Sequence, residues 1–407
     1  MIEIRREGIL LEATELEFEN QAVLNPTIYQ EGNSLHLFYR AVREGNYSSI
    51  GYCKLDGPLN IIERKKEPLI YSEFDYETHG VEDPRIVFLE GIYYLFYTAY
   101  DGKNARVAYA TSVDLKDWTK HGLITPSIPY EEAKNFFKLS RLKSKYFLFV
   151  SYIKEITAPD VLLWEKDCFI FPRKFNGKLA LLHRILPDIQ VIYFENFDQL
   201  KDSKYWEKYL TKLGENVIIE PEFGYESRNI GAGAPLIEIE EGWLLIYHAV
   251  EDSNAGQIYR ASAVLLEKDP PFNVIGRLEK PLFSPLKQYE KFGDVDNVVF
   301  PTGTAIFNER LYIYYGAADK YVAVVSLVLK DLIKELIKSK STLDIDIGYL
   351  AGEIYEKVYA NEVSLAQLKK EYMDRQDLLM MAIGWLAREN KIIFHDKNGE
   401  LKVWAVD

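Results

Sequence analysis

The stretch GVEDPRI places three charged side chains, Glu82, Asp83 and Arg85, around a proline at the start of an apolar run. Proline fixes its own backbone and pushes the preceding residue towards an extended conformation, so Asp83 is predicted to be held stiffly at a strand entrance. An acid held in this way can cap a turn, or it can act as a proton donor. The residues alone leave both interpretations open.

Other polar side chains stand at the starts and ends of apolar runs: Asn25, Lys166, Asp167, Arg228 and Thr302 at starts, and Arg40, Arg43, Arg184, His248 and Asp319 at ends. Arginine and aspartate are almost never buried unless they are paired. If the runs converge, these groups form a polar, arginine-rich pocket that suits hydroxyl groups and an anion. Taken singly, each arginine is also explained by a structural ion pair, and His248 by a structural histidine.

The elements that would position these groups recur along the chain. A proline, a short apolar strand, a turn and an aromatic-rich strand follow one another at Pro26, Pro84, Pro172, Pro235 and Pro301. Repeats of this kind are typical of propeller blades, so residues 1–335 are predicted to form an all-β five-bladed β-propeller, with the proline-led strand starts at one end of its tunnel. The run KYFLFVSYI from Lys145 is interpreted as an outer strand or as a sixth, degenerate blade.

The pattern changes after Leu329, where KDLIKELIKSK is predicted to be an amphipathic helix or linker. Three segments with helical spacing follow, one of them capped by Ser364, and then a hairpin around Asn398-Gly399. This order predicts a small α/β winged helix-turn-helix domain over residues 343–407. Its 8 basic and 12 acidic side chains give a charge of −4, which disfavours DNA binding and favours a docking module or a homo-oligomer contact.

Composition limits the function of the whole chain. The 407 residues carry 49 basic and 62 acidic side chains, a formal charge of −13, which makes nucleic acid an unfavourable partner. The chain has two cysteines, and no signal-like or membrane-length apolar stretch is evident, so a cytoplasmic protein without a membrane partner is expected. No zinc spacing or phosphate loop is found, and no metal or cofactor is expected.

Four ordered motifs in residues 25–329 together resemble glycoside hydrolase family 130: GVEDPRI, KDCFIFPRKFNGKLALLHRI, YESRNIGAGAPLIEIEEGWLLIYHAV and VVFPTGTAIFNERLYIYYGAAD. The resemblance implies a five-bladed β-propeller. It also implies an enzyme that cleaves β-mannosides. Most members do so by inverting phosphorolysis to mannose 1-phosphate, and a minority by hydrolysis.

The resemblance implies roles for individual residues. Asp83 becomes the general acid, which delivers its proton through a hydroxyl of the bound mannosyl unit. Asn25, Arg40 and Asp319 fall where the family holds the sugar, and Arg43 and Arg85 are further substrate-binding candidates from their places beside apolar runs. Arg184 and His248 match positions where phosphorylases of the family hold phosphate, and Lys166 and Arg228 are further phosphate-binding candidates. One acid is enough in an inverting phosphorylase, because phosphate replaces the base-activated water of a hydrolase. Inorganic phosphate is therefore the expected co-substrate, and a β-mannoside oligosaccharide the expected substrate.

Two positions depart from the family's pattern. Lys166 stands where arginine is expected, so the positive charge is kept but the bidentate fork is lost. Asn229 stands where lysine is usual, so the positive charge is lost. Glu222, Glu226 and Glu251 are alternative candidates for a hydrolytic base. Phosphorolysis of a β-mannoside is the predicted function. An inverting β-mannosidase and a non-catalytic sugar-binding regulator that acts through the winged helix are the alternatives.

Overall fold

The computed structural model describes residues 2–158, 160–254, 256–270, 272–339, 342–397 and 399–406. The chain divides into two compact units, Met1–Ile337 and Lys338–Asp407. Each unit buries its own apolar side chains. Within the described ranges, no helix is both long enough and apolar enough to cross a membrane.

The first unit consists mainly of antiparallel strands. Their bounds in chain order are β1 Arg5–Leu11, β2 Ala22–Glu31, β3 Ser34–Arg43, β4 Tyr47–Asp56, β5 Asn60–Arg64, β6 Gly80–Leu89, β7 Ile92–Tyr100, β8 Ala105–Ser112, β9 Thr119–Leu123, β10 Lys166–Ile170, β11 Leu179–Arg184, β12 Ile189–Phe194, β13 Val217–Ile219, β14 Asn229–Ala232, β15 Ile237–Glu238, β16 Trp243–Ser253, β17 Gly256–Leu266, β18 Val274–Arg277, β19 Val299–Phe307, β20 Arg310–Ala317 and β21 Tyr321–Val328. Helices occur between and after the strands: α1 Tyr130–Leu139, α2 Ser144–Ile156, α3 Phe197–Leu200, α4 Ser203–Leu210, α5 Gln288–Lys291 and α6 Leu329–Ser339. The helix predicted after the last strand is confirmed as α6.

These strands are organised in groups of antiparallel neighbours. Three sheets are β10-β11-β12-β13, β14-β16-β17-β18 with β15 beside β16, and β1-β21-β20-β19. The largest sheet combines β2-β3-β4-β5 with β6-β7-β8-β9, and a parallel bridge between Ser48 and Gly80 joins the two groups. In the part of the chain that the structure describes, no sheet closes on itself.

Local turn chemistry explains the hairpins inside these groups. Glu90-Gly91 joins β6 to β7 with φ values of 51° and 83°, and Asn308-Glu309 joins β19 to β20 with φ values of 46° and 64°. Two central residues with positive φ make a type I′ turn, whose twist matches that of paired strands. The hairpins predicted at these two dipeptides are confirmed.

Three of the five marker prolines lie inside strands and not at strand starts as predicted: Pro26 and Pro84 lie in bulges, and Pro301 lies directly before one. A bulge leaves one residue outside the hydrogen-bond ladder, so Pro26 and Pro84 sacrifice no bond. Pro172 and Pro235 lie outside the strands. In the sheet β10-β11-β12-β13 the bulge lies in β10 and contains Asp167. Pro172 follows β10 and lies in no strand, so the prediction that it leads a strand is wrong.

The run from Lys145 forms the helix α2 and not a strand. Its buried side chains Tyr146, Phe149, Val150 and Ile153 recur with helical spacing, so one face of the helix packs on the core. The aromatic and β-branched composition favoured a strand, but the spacing of the buried residues decides the outcome. The prediction of an outer strand or a sixth blade here is wrong.

The second unit contains three helices and a small sheet: α7 Thr342–Ala360, α8 Leu365–Glu371, α9 Gln376–Arg388, β22 Val363–Ser364, β23 Ile392–Lys397 and β24 Glu400–Ala405. The predicted cap of α8 is confirmed, because the Ser364 hydroxyl accepts a hydrogen bond of 3.1 Å from the Gln367 backbone. β23 and β24 form the predicted hairpin. Asn398, predicted for its turn, lies outside the described residues.

Candidate active site

Seven of the predicted residues line one cavity of about 190 Å³ in the first unit: Asn25, Arg40, Asp83, Lys166, Asp167, Arg184 and Asp319. The same wall includes Tyr259, Val295, Val298 and Phe300. A neighbouring cavity of about 440 Å³ shares Arg40, Val295 and Asp319 with it. Acids, cations, an amide and aromatic rings thus meet around one space, which suits a ligand with many hydroxyl groups together with an anion.

Backbone bulges aim three of these side chains. Asn25, Asp83 and Asp167 have φ values of 46°, 52° and 58°, and each lies where the register shifts in the first strand of its group. The extended conformation predicted for Asp83 is therefore wrong. A bulge redirects a side chain, and positive φ outside glycine often marks a functional site. Three strand groups each contribute one polar side chain in this way.

Asp83 is oriented by an amide and a cation. Asn25 Nδ2 donates a hydrogen bond of 2.7 Å to Asp83 Oδ1, and Arg40 Nη1 lies 3.7 Å from the same oxygen. The Asp83 side chain is only 10% exposed. It is therefore a largely buried carboxyl group that still borders the cavity, as a proton donor to a bound ligand must.

Glu82 fixes two of the cations in the wall. Arg40 Nη2 donates a hydrogen bond of 2.7 Å to Glu82 Oε1, and Lys166 Nζ lies 3.7 Å from Glu82 Oε2. Although burial acts to lower it, the pKa of Arg40 is raised by Glu82 and by two wall aspartates, Asp83 and Asp319. Arg40 also donates through Nε to the Ser48 hydroxyl at 2.8 Å. Glu82 was part of the sequence motif but received no role there.

Asp167 lies among three basic side chains. Its carboxylate is 3.2 Å from Arg184 Nε, 3.5 Å from Arg85 Nη2 and 3.8 Å from His248 Nε2. Burial acts to raise the pKa of Asp167, but Arg184 and the other basic neighbours hold it below its usual value. Burial lowers the pKa of His248 to about 3, so this imidazole is neutral at pH 7. The wall cation beside Asp167 is therefore Arg184.

Two predicted residues lie behind the cavity wall. Arg85 is 1% exposed, and its Nη1 donates a hydrogen bond of 3.0 Å to the backbone oxygen of Asp83. His248 is fully buried, and its ring centroid lies 4.3 Å from that of Phe300. Arg85 thus supports the bulge that carries the acid, and His248 supports an aromatic wall residue.

Two other predicted residues lie away from this wall. The Arg43 guanidinium covers the ring of Tyr47 at 4.7 Å. The Arg228 guanidinium covers the ring of Tyr152, a residue of α2, at 4.6 Å, and its Nη1 lies 3.3 Å from Asp252. The structure therefore does not bring Arg43 or Arg228 together with Asp83.

The glutamates considered as hydrolytic bases are engaged elsewhere. Glu226 is buried and accepts a hydrogen bond of 2.7 Å from Arg277, and Glu222 lies 3.8 Å from the same guanidinium. Glu251 accepts a hydrogen bond of 2.6 Å from Arg260. None of these three glutamates lines the cavity.

Gly316 was not predicted as a site residue, although its lack of a side chain leaves the space that the Asn25 side chain occupies. A Cβ atom at Gly316 would lie 2.0 Å from Asn25 Oδ1, far inside contact distance. Tyr259 and Phe300 were also missed as wall residues, because aromatic residues are common throughout this chain. The tight approach of Gly316 to Asn25 joins the last strand group to the first, and no local pattern reveals it.

Comparison with known proteins connects this site to a family. Residues 5–338 match the model of glycoside hydrolase family 130, described as beta-1,4-mannooligosaccharide phosphorylase. Residues 340–405 match a model described as a winged helix-turn-helix domain, which confirms the predicted C-terminal domain type.

Individual relatives agree with the family match. The chain is 32% identical over 345 residues to the 1,2-beta-oligomannan phosphorylase of Thermoanaerobacter sp. (strain X514), covering 82% of this chain and 99% of the relative. It is 37% identical over 185 residues to the beta-1,4-mannooligosaccharide phosphorylase of Ruminococcus albus, covering 45% and 53%.

A solved structure, the beta-1,2-mannobiose phosphorylase of Listeria innocua with beta-1,2-mannobiose, shares the fold at a TM-score of 0.60 and 21% identity, covering 82% of this chain and 99% of that one. The family model spans most of the sequence, and its range includes every wall residue of the cavity. The resemblance drawn from the four motifs is thereby confirmed, and the chain belongs to glycoside hydrolase family 130.

Proposed function

We propose that this protein is an inverting phosphorylase that splits a β-mannoside with inorganic phosphate and releases mannose 1-phosphate. The observation that carries the proposal is one cavity shared by Asp83, held by Asn25 and Arg40, and by the cations Lys166 and Arg184. An inverting phosphorylase needs one acid and an anion site, whereas an inverting hydrolase needs two carboxyl groups and a water. Relatives named for phosphorolysis of β-1,2- and β-1,4-linked mannosides support the same reaction.

In this proposal Asp83 supplies the proton for the leaving sugar. A phosphate oxygen attacks the anomeric carbon from the face opposite the glycosidic oxygen, and the new carbon–oxygen bond forms as the glycosidic bond breaks. The electron pair of the broken bond stays on the leaving oxygen, which receives the Asp83 proton through a mannosyl hydroxyl. Hydrogen phosphate brings one proton of its own, which restores Asp83 after the transfer. The protons balance without a second carboxyl group.

Asn25, Arg40 and Asp319 are proposed to hold the mannosyl unit. Burial raises the pKa of Asp319 to about 6, against the opposing effect of Arg40. Above that pH the carboxylate accepts hydrogen bonds from sugar hydroxyls, and below it this capacity falls as the group becomes protonated. Sugar affinity that depends on Asp319 is therefore expected to weaken as the pH falls through about 6.

Phosphate is proposed to bind between Lys166 and Arg184. Asp167 contacts the Nε atom of Arg184, and this contact orients the guanidinium. The two terminal nitrogens of Arg184 make no protein hydrogen bond among the described residues. An arginine fork suits a tetrahedral oxyanion. His248 would then act indirectly, through Phe300 and Asp167, and Arg228 would take no part.

We infer the finer architecture from the same strand groups. Five antiparallel groups of at least four strands, one for each sequence repeat, support a five-bladed β-propeller over residues 1–335. The pairing of β1 with β21 supports a ring in which the first strand completes the last blade. The acidic unit over residues 343–407 is proposed to be a docking or oligomerisation module, and the protein is proposed to work in the cytoplasm without a further cofactor.

Product analysis tests the proposed function. Purified protein is incubated with β-1,2- and β-1,4-mannobiose, with and without inorganic phosphate, and early products are followed by proton NMR. We expect α-mannose 1-phosphate, formed at a rate that depends on phosphate. Free mannose formed equally without phosphate would identify a hydrolase. Binding of mannobiose without turnover would favour the regulator.

Gly316→Ala is expected to lower kcat/KM for mannobiose phosphorolysis by roughly tenfold, the equivalent of one lost hydrogen bond. The added methyl group would displace Asn25, whose amide donates to Asp83. Initial rates measure the effect, and a thermal melt reports the accompanying loss of stability. Gly224→Ala is the matched control, because a Cβ atom there meets nothing within 4 Å. Unchanged kcat/KM in Gly316→Ala would contradict the role assigned to Asn25.

A further inference from the structure

The helix α9 of the second unit has an exposed apolar face. Its exposed side chains recur every three or four residues and so form one stripe along the helix: Asp377, Met380, Met381, Gly384, Trp385 and Arg388. We call this stripe the α9 face. Met380, Met381 and Trp385 are 44%, 46% and 43% exposed. The opposite side of α9 packs into the core of the unit, so the fold of the unit does not need the apolar residues of the α9 face.

The place of α9 in the fold makes this composition unusual. α9 is the last helix of a helix-turn-helix, the one that enters the major groove when such a domain binds DNA. The α9 face has one acidic and one basic side chain, Asp377 and Arg388, and therefore no net charge. Contact with DNA phosphates would need several basic side chains. A protein surface is the better match, because tryptophan, methionine and arginine are enriched in protein interfaces.

The two charges are arranged symmetrically along the helix. Asp377 lies in the first turn of α9 and Arg388 in its last turn, about three turns apart and so on the same side. Neither side chain makes an ion pair within the described part of the chain. If two copies of α9 lie antiparallel about a two-fold axis, each Asp377 comes opposite the Arg388 of the second copy. A two-fold contact requires a surface that is complementary to itself, and these charges meet that requirement.

The apolar residues fit the same arrangement. An axis level with the middle of α9, which brings Asp377 opposite Arg388, also sets Met380 opposite Trp385 and Met381 opposite Gly384. Gly384 has open space around it, since a Cβ atom there would meet nothing within 4 Å. Glycine inside a helix is less stable than alanine and often marks a close approach of another backbone. The side chain of Met381 from a second copy would fill this space.

Trp385 is already held in place for such a contact. A Cβ atom at Gly348 of α7 would lie 3.2 Å from Trp385 Cζ3, so the indole ring rests against α7. A side chain that is held before binding loses little freedom when it binds. Tryptophan is also enriched among the few residues that dominate the energy of an interface.

We propose that the α9 face is a two-fold interface between two copies of this chain, with the two α9 helices antiparallel. The inference rests on the docking or oligomerisation role proposed for residues 343–407. It does not depend on the reaction proposed for the first unit. The protein is then a dimer joined through its C-terminal units.

Sedimentation velocity of the full chain over a concentration series tests the interface. We expect a dimer, and Trp385→Ala should raise its dissociation constant by about 30-fold, the effect of losing one dominant interface residue. Tyr71→Ala, which removes an exposed aromatic ring of the first unit, is the matched control and should leave the dissociation constant unchanged. A wild type that stays monomeric throughout the series, or a dimer that Trp385→Ala does not weaken, overturns the inference.

Exchange of the two charges tests the antiparallel arrangement. Asp377→Arg and Arg388→Asp each set like charges opposite one another, and each should raise the dissociation constant by about tenfold. The double variant Asp377→Arg/Arg388→Asp restores opposite charges and should dimerise nearly as well as the wild type. Damage to the ends of α9 would be greatest in the double variant, so recovery there isolates the contact between copies. A double variant that dimerises no better than the single variants overturns the arrangement.

Two further measurements complete the test. Lys370→Glu reverses an exposed charge of α8, outside the α9 face, and should not change the dissociation constant. An effect as large as that of Asp377→Arg would overturn the inference, because general charge and not the α9 face would then control association. Formation of mannose 1-phosphate in the same samples reports on the proposed reaction separately, so the two proposals can fail independently.

Discussion

Asp83→Asn is expected to lower kcat/KM for mannobiose phosphorolysis by about 10³-fold, within the range usual for loss of a general acid. The amide cannot supply the proton that the leaving oxygen needs, while its oxygen can still accept the hydrogen bond from Asn25. The variant should fold, because asparagine adopts the left-handed backbone found here, with φ of 52°, at least as readily as aspartate. Initial rates of mannose 1-phosphate formation measure the effect.

A substrate with an activated leaving group distinguishes proton donation from simple positioning. 4-Nitrophenyl β-mannoside releases a stable phenolate, so its phosphorolysis should suffer far less in Asp83→Asn than that of mannobiose. Asp117→Asn, a change of an exposed aspartate, is the matched control and should alter neither rate. Equal losses on both substrates would show that Asp83 acts as an orienting group, and would contradict its role as the acid.

Much of the fold could be predicted because its signals are local. The dipeptides Glu90-Gly91 and Asn308-Glu309 specify their hairpins, and Ser364 specifies the start of α8. The wrong predictions concern segments whose local sequence pattern is compatible with two different structures. The aromatic run in α2 has the composition of a strand and the periodicity of a helix, and Pro172 resembles the bulge prolines without lying at a bulge.

The candidate site was predictable to the extent that strand ends converge. Asn25, Asp83 and Asp319 were all found from their places beside apolar runs, and the cavity brings them together. The depth of a side chain was not predictable in the same way. Arg85 and His248 occupy similar sequence positions but are buried behind the cavity wall, because their partners, Gly233 and Phe300, are distant in sequence. The contact of Gly316 with Asn25 is long-range for the same reason.

Arg184→Ala is expected to raise the KM for phosphate by about 30-fold, since hydrogen bonds to charged groups are worth about 1.5–3 kcal/mol. The variant would remove the only arginine fork proposed for the anion and would also leave Asp167 without its nearest cation. Arg184→Lys should recover part of the loss, because lysine keeps the charge and loses the fork. Initial rates over a phosphate series at saturating mannobiose measure both effects.

Arg228→Ala is the control for the effect of Arg184→Ala on the KM for phosphate. Arg228 was predicted to be a phosphate-binding residue, but its guanidinium lies over Tyr152 and beside Asp252, away from the cavity wall. Arg228→Ala should therefore change the KM for phosphate far less than Arg184→Ala does. If the order of the two effects were reversed, the anion would bind at the rim near α2. The pairing of Lys166 with Glu82 would then serve the sugar instead of the phosphate.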